Sequence, residues 1–195
     1  MALEAGDFQA TRKNLEEALA IRNELEEKDA VASTQVQLAR LSLEENKPSA
    51  AELLVRKTIP AAKSADTGDA AALAHTVLAE VLLSQNKISE AQHESVLAMK
   101  LAGQTQVRQI KWQTQLVHAR VEASTGNAAA ALATIQQVEA QAGKLGLNRI
   151  SLNARLALSQ LQSKKRGAAQ FQSLEHDARE KGFVRIANKA QKALQ

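Results

Sequence analysis

The sequence lacks cysteine and tyrosine and contains two prolines, one tryptophan and three phenylalanines among 195 residues. Without cysteine there can be no disulfide and no thiolate metal site, and nothing requires an oxidising compartment. No apolar run approaches the roughly 20 residues that a membrane-spanning helix needs. The first residues show neither the basic start nor the apolar stretch of a secretory signal peptide. We therefore expect a cytoplasmic protein with no membrane segment.

Alanine is the commonest residue, and strong helix formers fill much of the remainder. Small side chains let helices pack closely at little cost in helix propensity, so the composition predicts an all-α fold. Charge is unevenly distributed. Residues 1–98 contain ten Lys/Arg and sixteen Asp/Glu, a net −6, whereas residues 99–195 contain fifteen and five, a net +10. Such an asymmetry can steer a charged partner or promote head-to-tail self-association, or it can simply keep both ends solvated.

The chain repeats itself at a fixed step. The segment Leu38–Lys47 returns as Leu78–Lys87, with Leu, Ala, Leu, Asn and Lys in the same places. The same step connects the pairs Gly6-Asp7, Asn46-Lys47, Asn86-Lys87, Gly126-Asn127 and Arg166-Gly167. A fixed period marks a stacked array in which each unit buries its apolar face against its neighbours. We expect a right-handed α-solenoid of antiparallel helix pairs, with about four repeats, an N-terminal half-repeat and a short C-terminal helix.

Punctuation residues divide this array into helices. Residues 1–5 read as the last turn of a helix, so we expect the chain to be an excerpt of a longer protein that forms one domain over residues 1–195. Asp29 and Asp69 are expected to be N-caps, and Pro48 to open a helix. Pro60 should bend the helix that contains it. The predicted helices are 8–28, 50–64, 70–85, 88–102, 106–125, 128–143, 148–164 and 167–181, with a last helix from Val184 that keeps Arg185, Lys189 and Lys192 outside.

Small residues at fixed places carry a family resemblance. The first helices of the pairs contain Ala39, Ala79, Ala119 and Ser159, and the second helices contain Ala51, Ala91 and Ala131. This pattern of paired helices resembles the tetratricopeptide repeat (TPR), in which small side chains allow close helix contact.

The sequence departs from that family in two ways. Its period is longer than usual, and Gln35, His75, Gln115 and Arg155 stand where the family often has Trp. The long variant is similar to arrays in bacterial regulators such as the maltose-activator family, or beside kinase domains. HEAT-type repeats share the length but differ in their prolines and kinked helices.

No catalytic or metal constellation emerges, and we expect no cofactor and no enzymatic activity. The histidines His75, His93, His118 and His176 fall on different repeats. His118 and Glu122 share a helix face and are expected to form a local polar contact. Gly143–Gly146 is too short for a phosphate-binding loop. Trp112 is expected to pack near a helix start, with a role in binding a partner as the alternative.

A basic cluster raises a second functional class, a nucleic-acid-binding α-solenoid. It consists of Lys164, Lys165, Arg166, Arg179, Lys181, Arg185, Lys189 and Lys192. Single-stranded nucleic acid is usually held by such charges interleaved with stacking aromatics. The nearby Phe171 and Phe183 are expected to be core residues. Nucleic acid is therefore the weaker hypothesis.

The leading hypothesis is a protein-interaction and regulatory scaffold of a larger bacterial signalling protein. In a stacked array of helix pairs the first helices line a concave groove, and we expect a peptide or partner surface to bind there. The residues expected there are Ser33, Val36, Arg40, Leu73, Thr76, Glu80, Gln113, Leu116, Arg120, Asn153, Leu156 and Gln160. The alternative for Leu116 and Leu156 is packing between repeats. A small effector in the groove and self-association through an open N-terminal end, near Phe8 and Leu15, are further hypotheses.

Overall fold

Helices account for most of the described residues of the protein. The computed structural model describes residues 2–63, 68–162 and 164–195, without the side chains of 164–166. These residues contain no strand and eleven helices: α1 (Ala2–Ala5), α2 (Phe8–Glu24), α3 (Lys28–Glu44), α4 (Pro48–Lys63), α5 (Asp69–Ser84), α6 (Ile88–Ala102), α7 (Arg108–Ser124), α8 (Ala128–Lys144), α9 (Asn148–Leu161), α10 (Lys164–Glu180) and α11 (Val184–Lys192). In chain order, α3 to α10 make up the first and second helices of four repeats. The prediction of an all-α helical-repeat solenoid is confirmed.

The turns inside the repeats show why the sequence recurs at a fixed step. Gly6, Asn46, Asn86 and Gly126 have φ values of 81°, 60°, 60° and 99°. Glycine and asparagine adopt this left-handed conformation most readily, and it ends a helix. The following amide N–H then reaches back to the helix, as from Lys47 N to Ser42 O at 2.9 Å. The predicted turns are confirmed at these four positions.

The predicted turn at Arg166-Gly167 is wrong. Helix α9 ends at Leu161 and α10 begins at Lys164, so Gly167 lies inside α10. The last second helix therefore starts four positions earlier than the repeat step predicts. With this shift the four second helices have buried residues at the same four repeat positions, which we call columns: Ala51, Ala91, Ala131 and Gly167; Val55, Ser95, Ile135 and Phe171; Thr58, Ala98, Val138 and Leu174; Ala62, Ala102, Ala142 and Ala178.

Close helix packing explains the glycine. A Cβ atom at Gly167 would stand 2.9 Å from the backbone oxygen of Ser159 and 3.6 Å from the Phe171 ring. No ordinary Cβ contact is as short as the first of these, so α10 approaches α9 more closely than an alanine would permit. The sequence shortens this turn by four positions and supplies the glycine that the closer contact requires.

Several helix boundaries differ from the prediction. Asp29 and Asp69 lie in the first turns of α3 and α5 instead of capping them, where their carboxylates still favour the helix dipole. Pro48 opens α4, as predicted. Pro60 lies inside α4, which continues to Lys63. The bend at Pro60 remains a prediction.

The chain forms two compact units, residues 8–121 and residues 1–7 with 122–195. In the first, the core includes Val55, Val77, Leu78, Val81 and Leu82, all with no exposed surface. In the second, the core includes Leu152, Leu156, Phe171, Leu174, Ala178, Ile186, Ala187 and Ala190, with Phe183 packed against it. The expectation of one folding domain over residues 1–195 is not tested by this division.

An ion pair within the second unit corrects the prediction for α11. Arg185, expected on the outside, is 9% exposed. Its Nε and Nη2 atoms lie 3.4 and 3.3 Å from Glu4 Oε2 on α1. Because α1 packs against α11, the arginine is covered and the carboxylate compensates its charge.

Candidate partner-binding surface

Three charged residues at the repeat step form a ladder on successive first helices. They are Arg40 on α3, Glu80 on α5 and Arg120 on α7. Arg40 Nη2 lies 3.8 Å from Glu80 Oε2, and Arg120 Nη1 donates a hydrogen bond to Glu80 Oε1 at 2.9 Å. Their side chains are 21%, 21% and 32% exposed. The sequence predicts isolated charges here, whereas both arginines pair with the same carboxylate.

The residues one helical turn earlier are buried. Val36, Thr76, Leu116 and Leu156 are 3%, 0%, 6% and 7% exposed. Thr76 donates to Ala72 O at 2.7 Å, and its Oγ1 lies 2.8 Å from that of Thr114. These four side chains therefore pack within the protein and present almost no surface. This corrects the expectation that they are exposed anchors and agrees with the packing alternative for Leu116 and Leu156.

The remaining predicted groove residues retain some exposure. Ser33, Leu73, Gln113 and Asn153 are half-buried, and Gln160 is exposed. Leu73 also packs against the core, and Asn153 Nδ2 donates to Arg149 O at 2.7 Å. The Gln113 Nε2 atom is buried without a hydrogen-bond partner, so it is an unsatisfied donor on the helix that carries Arg120. Partner binding by this set remains a prediction.

Comparisons with known proteins identify the fold. No family model matches the sequence, and no curated protein matches it. Two crystal structures of a Podosopora anserina protein named as a kinesin light chain with nearly identical TPR-like repeats are similar to this chain. One, a point variant of that protein, is 18% identical with a TM-score of 0.54 and covers 98% of this chain and 92% of its own. The other is 17% identical with a TM-score of 0.53 and covers 100% and 92%.

The fold is a TPR-like repeat. At this level of identity the likeness concerns the fold alone. The longer period is a property of this sequence.

The TPR-like pattern locates a buried polar pair that sequence reasoning missed. His75 stands where the family often has Trp, and it is 3% exposed. Its Nδ1 lies 2.6 Å from Glu94 Oε2 on α6, and its Nε2 is buried without a partner. The hydrogen bond from His75 lowers the pKa of Glu94 below its ordinary value of 4.5, against the effect of burial. A histidine in this Trp position was the available signal, but its acidic partner lies on the next helix.

His118 has a partner that its own helix does not reveal. It fills the position of Leu38 and Leu78 and is half-buried, as expected. One of its partners is Ser95 on α6, whose hydroxyl lies 3.1 Å from His118 Nδ1. The local contact with Glu122 stays a prediction.

A second signal was missed on α10. Glu180 follows His176 by four positions, and their side-chain atoms lie 3.5 Å apart. Asp177 completes a group whose possible metal-ligand atoms lie within 4.8 Å of one another. The Asp177 carboxylate is already 2.6 Å from Arg155 Nη1, and His176 and Glu180 are exposed. An ordinary surface ion-pair cluster accounts for the group.

The aromatic side chains are packed into the TPR-like array. Trp112, near the start of α7 as predicted, is 6% exposed, with the Arg108 guanidinium 5.7 Å from its ring centroid. Its burial leaves no open ring face for the alternative partner-binding role. Phe171 is 7% exposed and Phe183 half-buried, as expected of core residues.

The N-terminal end is partly covered. Phe8 and Leu15, expected at an open end, are half-buried. Ile21 and Leu25, at the other end of α2 and just beyond it, are 57% and 63% exposed. Apolar surface near the N-terminus therefore lies around these two residues more than around Phe8.

Within the part of the chain that the structure describes, no helix is both long enough and apolar enough to cross a bilayer.

Proposed function

We propose that this TPR-like array is a non-enzymatic, protein-binding scaffold and that the side formed by its first helices α3, α5 and α7 binds a peptide or partner surface. The observation that carries the proposal is the Arg40–Glu80–Arg120 ladder. These three charged side chains recur at the repeat step on successive first helices and keep 21–32% exposure. A binding surface needs polar groups that are held in place and still reachable, and Glu80 holds both arginines.

The cellular setting we propose is regulatory. The resemblance to long repeats in bacterial signalling proteins supports a sensory or scaffolding part that works with an output domain in the cytoplasm. In this setting the array would relay the presence of a partner without chemistry of its own.

Mutation of the two arginines tests the binding surface. Once a partner has been found by cross-linking, its affinity would be measured for Arg40→Glu, Arg120→Glu and the double variant. We expect each change to weaken binding by about 1–3 kcal/mol, as for polar interface anchors. Arg56→Glu is the matched control, because Arg56 lies on α4, a second helix, and also pairs with two glutamates, at 2.8 and 3.1 Å.

Two outcomes of this experiment are informative. Unchanged affinity in the double variant would contradict the proposal and move the site to another face. Because each new glutamate would stand beside Glu80, the melting temperature must be recorded as well. A loss of binding that follows only the loss of folded protein would also count against the surface.

The alternative, a nucleic-acid-binding solenoid, rests on the basic cluster, and two of its charges are already engaged. Arg185 is paired with Glu4, and Arg179 donates to Glu175 at 2.9 Å and to Gln191 at 3.1 Å. The side chains of 164–166 lie outside the described residues. The nearby aromatics belong to the core. Salt dependence separates the two classes, since several phosphate contacts would make log affinity fall steeply with log salt.

Self-association is a further part of the proposal. The exposed Ile21 and Leu25 form an apolar patch at the acidic end of the chain. A second copy could cover this patch with its basic end. Light scattering at low and high salt tests this, and a strict monomer at high protein concentration and low salt would exclude it.

A further inference from the structure

A cavity of about 410 Å³ opens between α8, α9 and α10, and none of its lining residues belongs to the predicted groove. The lining consists of Glu139, Arg155, Leu158, Ser159, Ala169, Gln170 and Ser173. Ligand sites in proteins usually measure about 300–1,000 Å³, so this one has room for a small molecule. The inference below is independent of the proposed protein-binding function.

Particular replacements between repeats give the cavity its lining. By the repeat step, corrected for the shortened turn, Glu139, Ala169 and Ser173 correspond to Ile59, His93 and Leu97 around the second repeat. Ile59 packs against the core there. Each exchange replaces an apolar or larger side chain with a smaller or charged one. The side chains at these positions are therefore smaller or more polar around the fourth repeat than around the second, where His93 and Leu97 line an open pocket of their own.

Polar groups are fixed around the cavity. Ser159, which is 3% exposed, donates to Arg155 O at 2.9 Å and lies 3.4 Å from Gln170 Oε1. Arg155 is held by Asp177 at 2.6 Å and by Ser173 at 3.2 Å. Its position is thus set by contacts within the protein, and its charge is compensated by Asp177.

Glu139 differs from these groups because its carboxylate is poorly satisfied. Its contact in the structure is a long hydrogen bond of 3.4 Å from Ser151 Oγ. With Arg155 neutralised by Asp177, the excess charge among the described side chains that line the cavity is the negative charge of Glu139. Residues 122–195 carry eleven Lys/Arg against five Asp/Glu, so the cavity is an acidic place in a basic unit.

We propose that this cavity binds a small organic ammonium group, with Glu139 as its counter-ion and the carbon chain against Leu158 and Ala169. A ligand for this cavity needs a positively charged group on a short apolar chain. A free alkylamine and the side chain of a lysine both have it. Gln170 and Ser173 offer polar contacts to the far end of the bound group.

The test uses n-butylamine hydrochloride titrated into the full chain at constant ionic strength, with amide chemical shifts recorded by NMR. We expect saturable shifts at the lining residues of α8, α9 and α10. Sodium butyrate is the opposite-charge probe and should not saturate. A short peptide with a free lysine side chain and an acetylated N-terminus, compared with butylamine, distinguishes a side-chain ligand from a free amine.

Two variants tie the result to the cavity. Glu139→Gln should weaken butylamine binding by about ten- to a hundredfold, the range for a charge-assisted hydrogen bond. Ala169→Leu should abolish binding by filling the space, and because Ala169 is exposed the helix should tolerate it. Glu180→Gln removes an exposed carboxylate of α10 outside the cavity and should leave binding unchanged.

Three results would overturn the proposal: no saturable butylamine binding, tighter binding of butyrate, or equal loss in Glu139→Gln and Glu180→Gln. Circular dichroism of each variant shows that the fold is retained. Should Ala169→Leu fail to fold, Glu139→Gln against Glu180→Gln still decides the question.

Discussion

The second and fourth repeats are equivalent units of the sequence, but they differ in how deeply they bury the same positions. In the second, Leu78 is fully buried and His75 is sealed against Glu94. In the fourth, Leu158 is half-buried and Arg155 pairs with the part-exposed Asp177 beside an open cavity. One repeat uses the polar position to close its core, and the other leaves it open to solvent. The same fold therefore tolerates a buried and a part-exposed polar pair at one position of the repeat.

The difference teaches what the array requires. The four columns of small and aliphatic residues along the second helices are buried in both repeats. The cavity-lining positions vary freely between them. Helix contact is thus fixed by the columns, and the space beside them is available for change.

The largest expected effect comes from truncating the equivalent leucines. Leu78→Ala should reduce the free energy of unfolding by about 3 kcal/mol, because it leaves a cavity in a sealed core. Leu158→Ala should cost about 1 kcal/mol, since part of that side chain already meets water. Urea denaturation of both variants measures the contrast. Equal losses would show that the fourth repeat is as tightly packed as the second.

The polar pairs provide the second contrast. Glu94→Ala leaves the buried His75 without its acceptor and should cost about 2 kcal/mol. Asp177→Ala breaks a part-exposed pair and should cost about 0.5 kcal/mol. The Glu94 pKa lies below its ordinary value, chiefly through the hydrogen bond from His75. This stabilisation is therefore present above the ordinary pKa of 4.5 and is lost as the pH falls below it.

Denaturation at pH 7 and pH 4 measures that loss. Glu94→Gln is the control, because its amide oxygen still accepts a hydrogen bond while the charge is removed. A Glu94→Ala variant as stable as the parent at pH 7 would mean that His75 is satisfied in another way.

The close contact at Gly167 gives the third contrast. Gly167→Ala gains helix propensity, but the new Cβ meets the Ser159 carbonyl at 2.9 Å, and a backbone atom cannot rotate away. We expect a net loss of about 1 kcal/mol as α10 is displaced. At the equivalent site of the second repeat, Ala91→Gly should cost at least about 1 kcal/mol, through lost helix propensity and the void left by a buried methyl group. If thermal melts show that Gly167→Ala stabilises the protein, the shorter turn does not force a closer approach.

The fold was largely predictable from the sequence because its determinants are local. Asn46, Asn86 and Gly126 mark turns by their tolerance of left-handed backbone, and alanines mark helix contacts by their size. The shortened fourth repeat was missed because Arg166-Gly167 imitates the turn pair at the right distance. The sequence alone does not distinguish a glycine that ends a helix from one that allows close packing within a helix. Only the position of the neighbouring helix distinguishes the two roles.

The candidate site was less predictable. Arg40, Glu80 and Arg120 could be placed on one side by their spacing, but their shared contact depends on how successive helices stack. The burial of the residues one turn earlier depends on the same stacking. The His75–Glu94 pair and the Glu139 cavity join residues from different helices. No periodicity within one helix reveals such pairs.

The smallest expected effect concerns ion pairs between the first two repeats that have no counterpart on α8. Glu52 on α4 accepts from Lys87 and Arg56, each at 2.8 Å. These bonds, the one from Lys87 first, lower the pKa of Glu52 to about 2. At the corresponding positions α8 has Leu132 in place of Glu52 and Gln136 in place of Arg56. The contrast therefore separates a site with these ion pairs from an equivalent site that has neutral side chains at both positions.

The sign of the pH dependence follows from the lowered pKa. Because the folded pKa lies below the ordinary 4.5, the stabilisation is present above pH 4.5 and is lost as the pH falls towards 2. Lys87 and Arg56 are 41% and 44% exposed, so water and salt screen the pairs. Glu52→Gln should therefore cost roughly 0.5 kcal/mol at pH 7.

Thermal melts of parent and Glu52→Gln at pH 7 and pH 3, each at 0.05 and 0.5 M salt, measure this effect. The difference between the two proteins should shrink at the lower pH, because at pH 3 the Glu52 carboxyl is mostly protonated in the unfolded state but still mostly charged in the folded state. It should also shrink at the higher salt, because the pairs are screened. Leu132→Gln on α8 is the matched control and should show neither dependence. A parent–variant difference that is unchanged between pH 7 and pH 3 would mean that these ion pairs contribute nothing to the junction of the first two repeats.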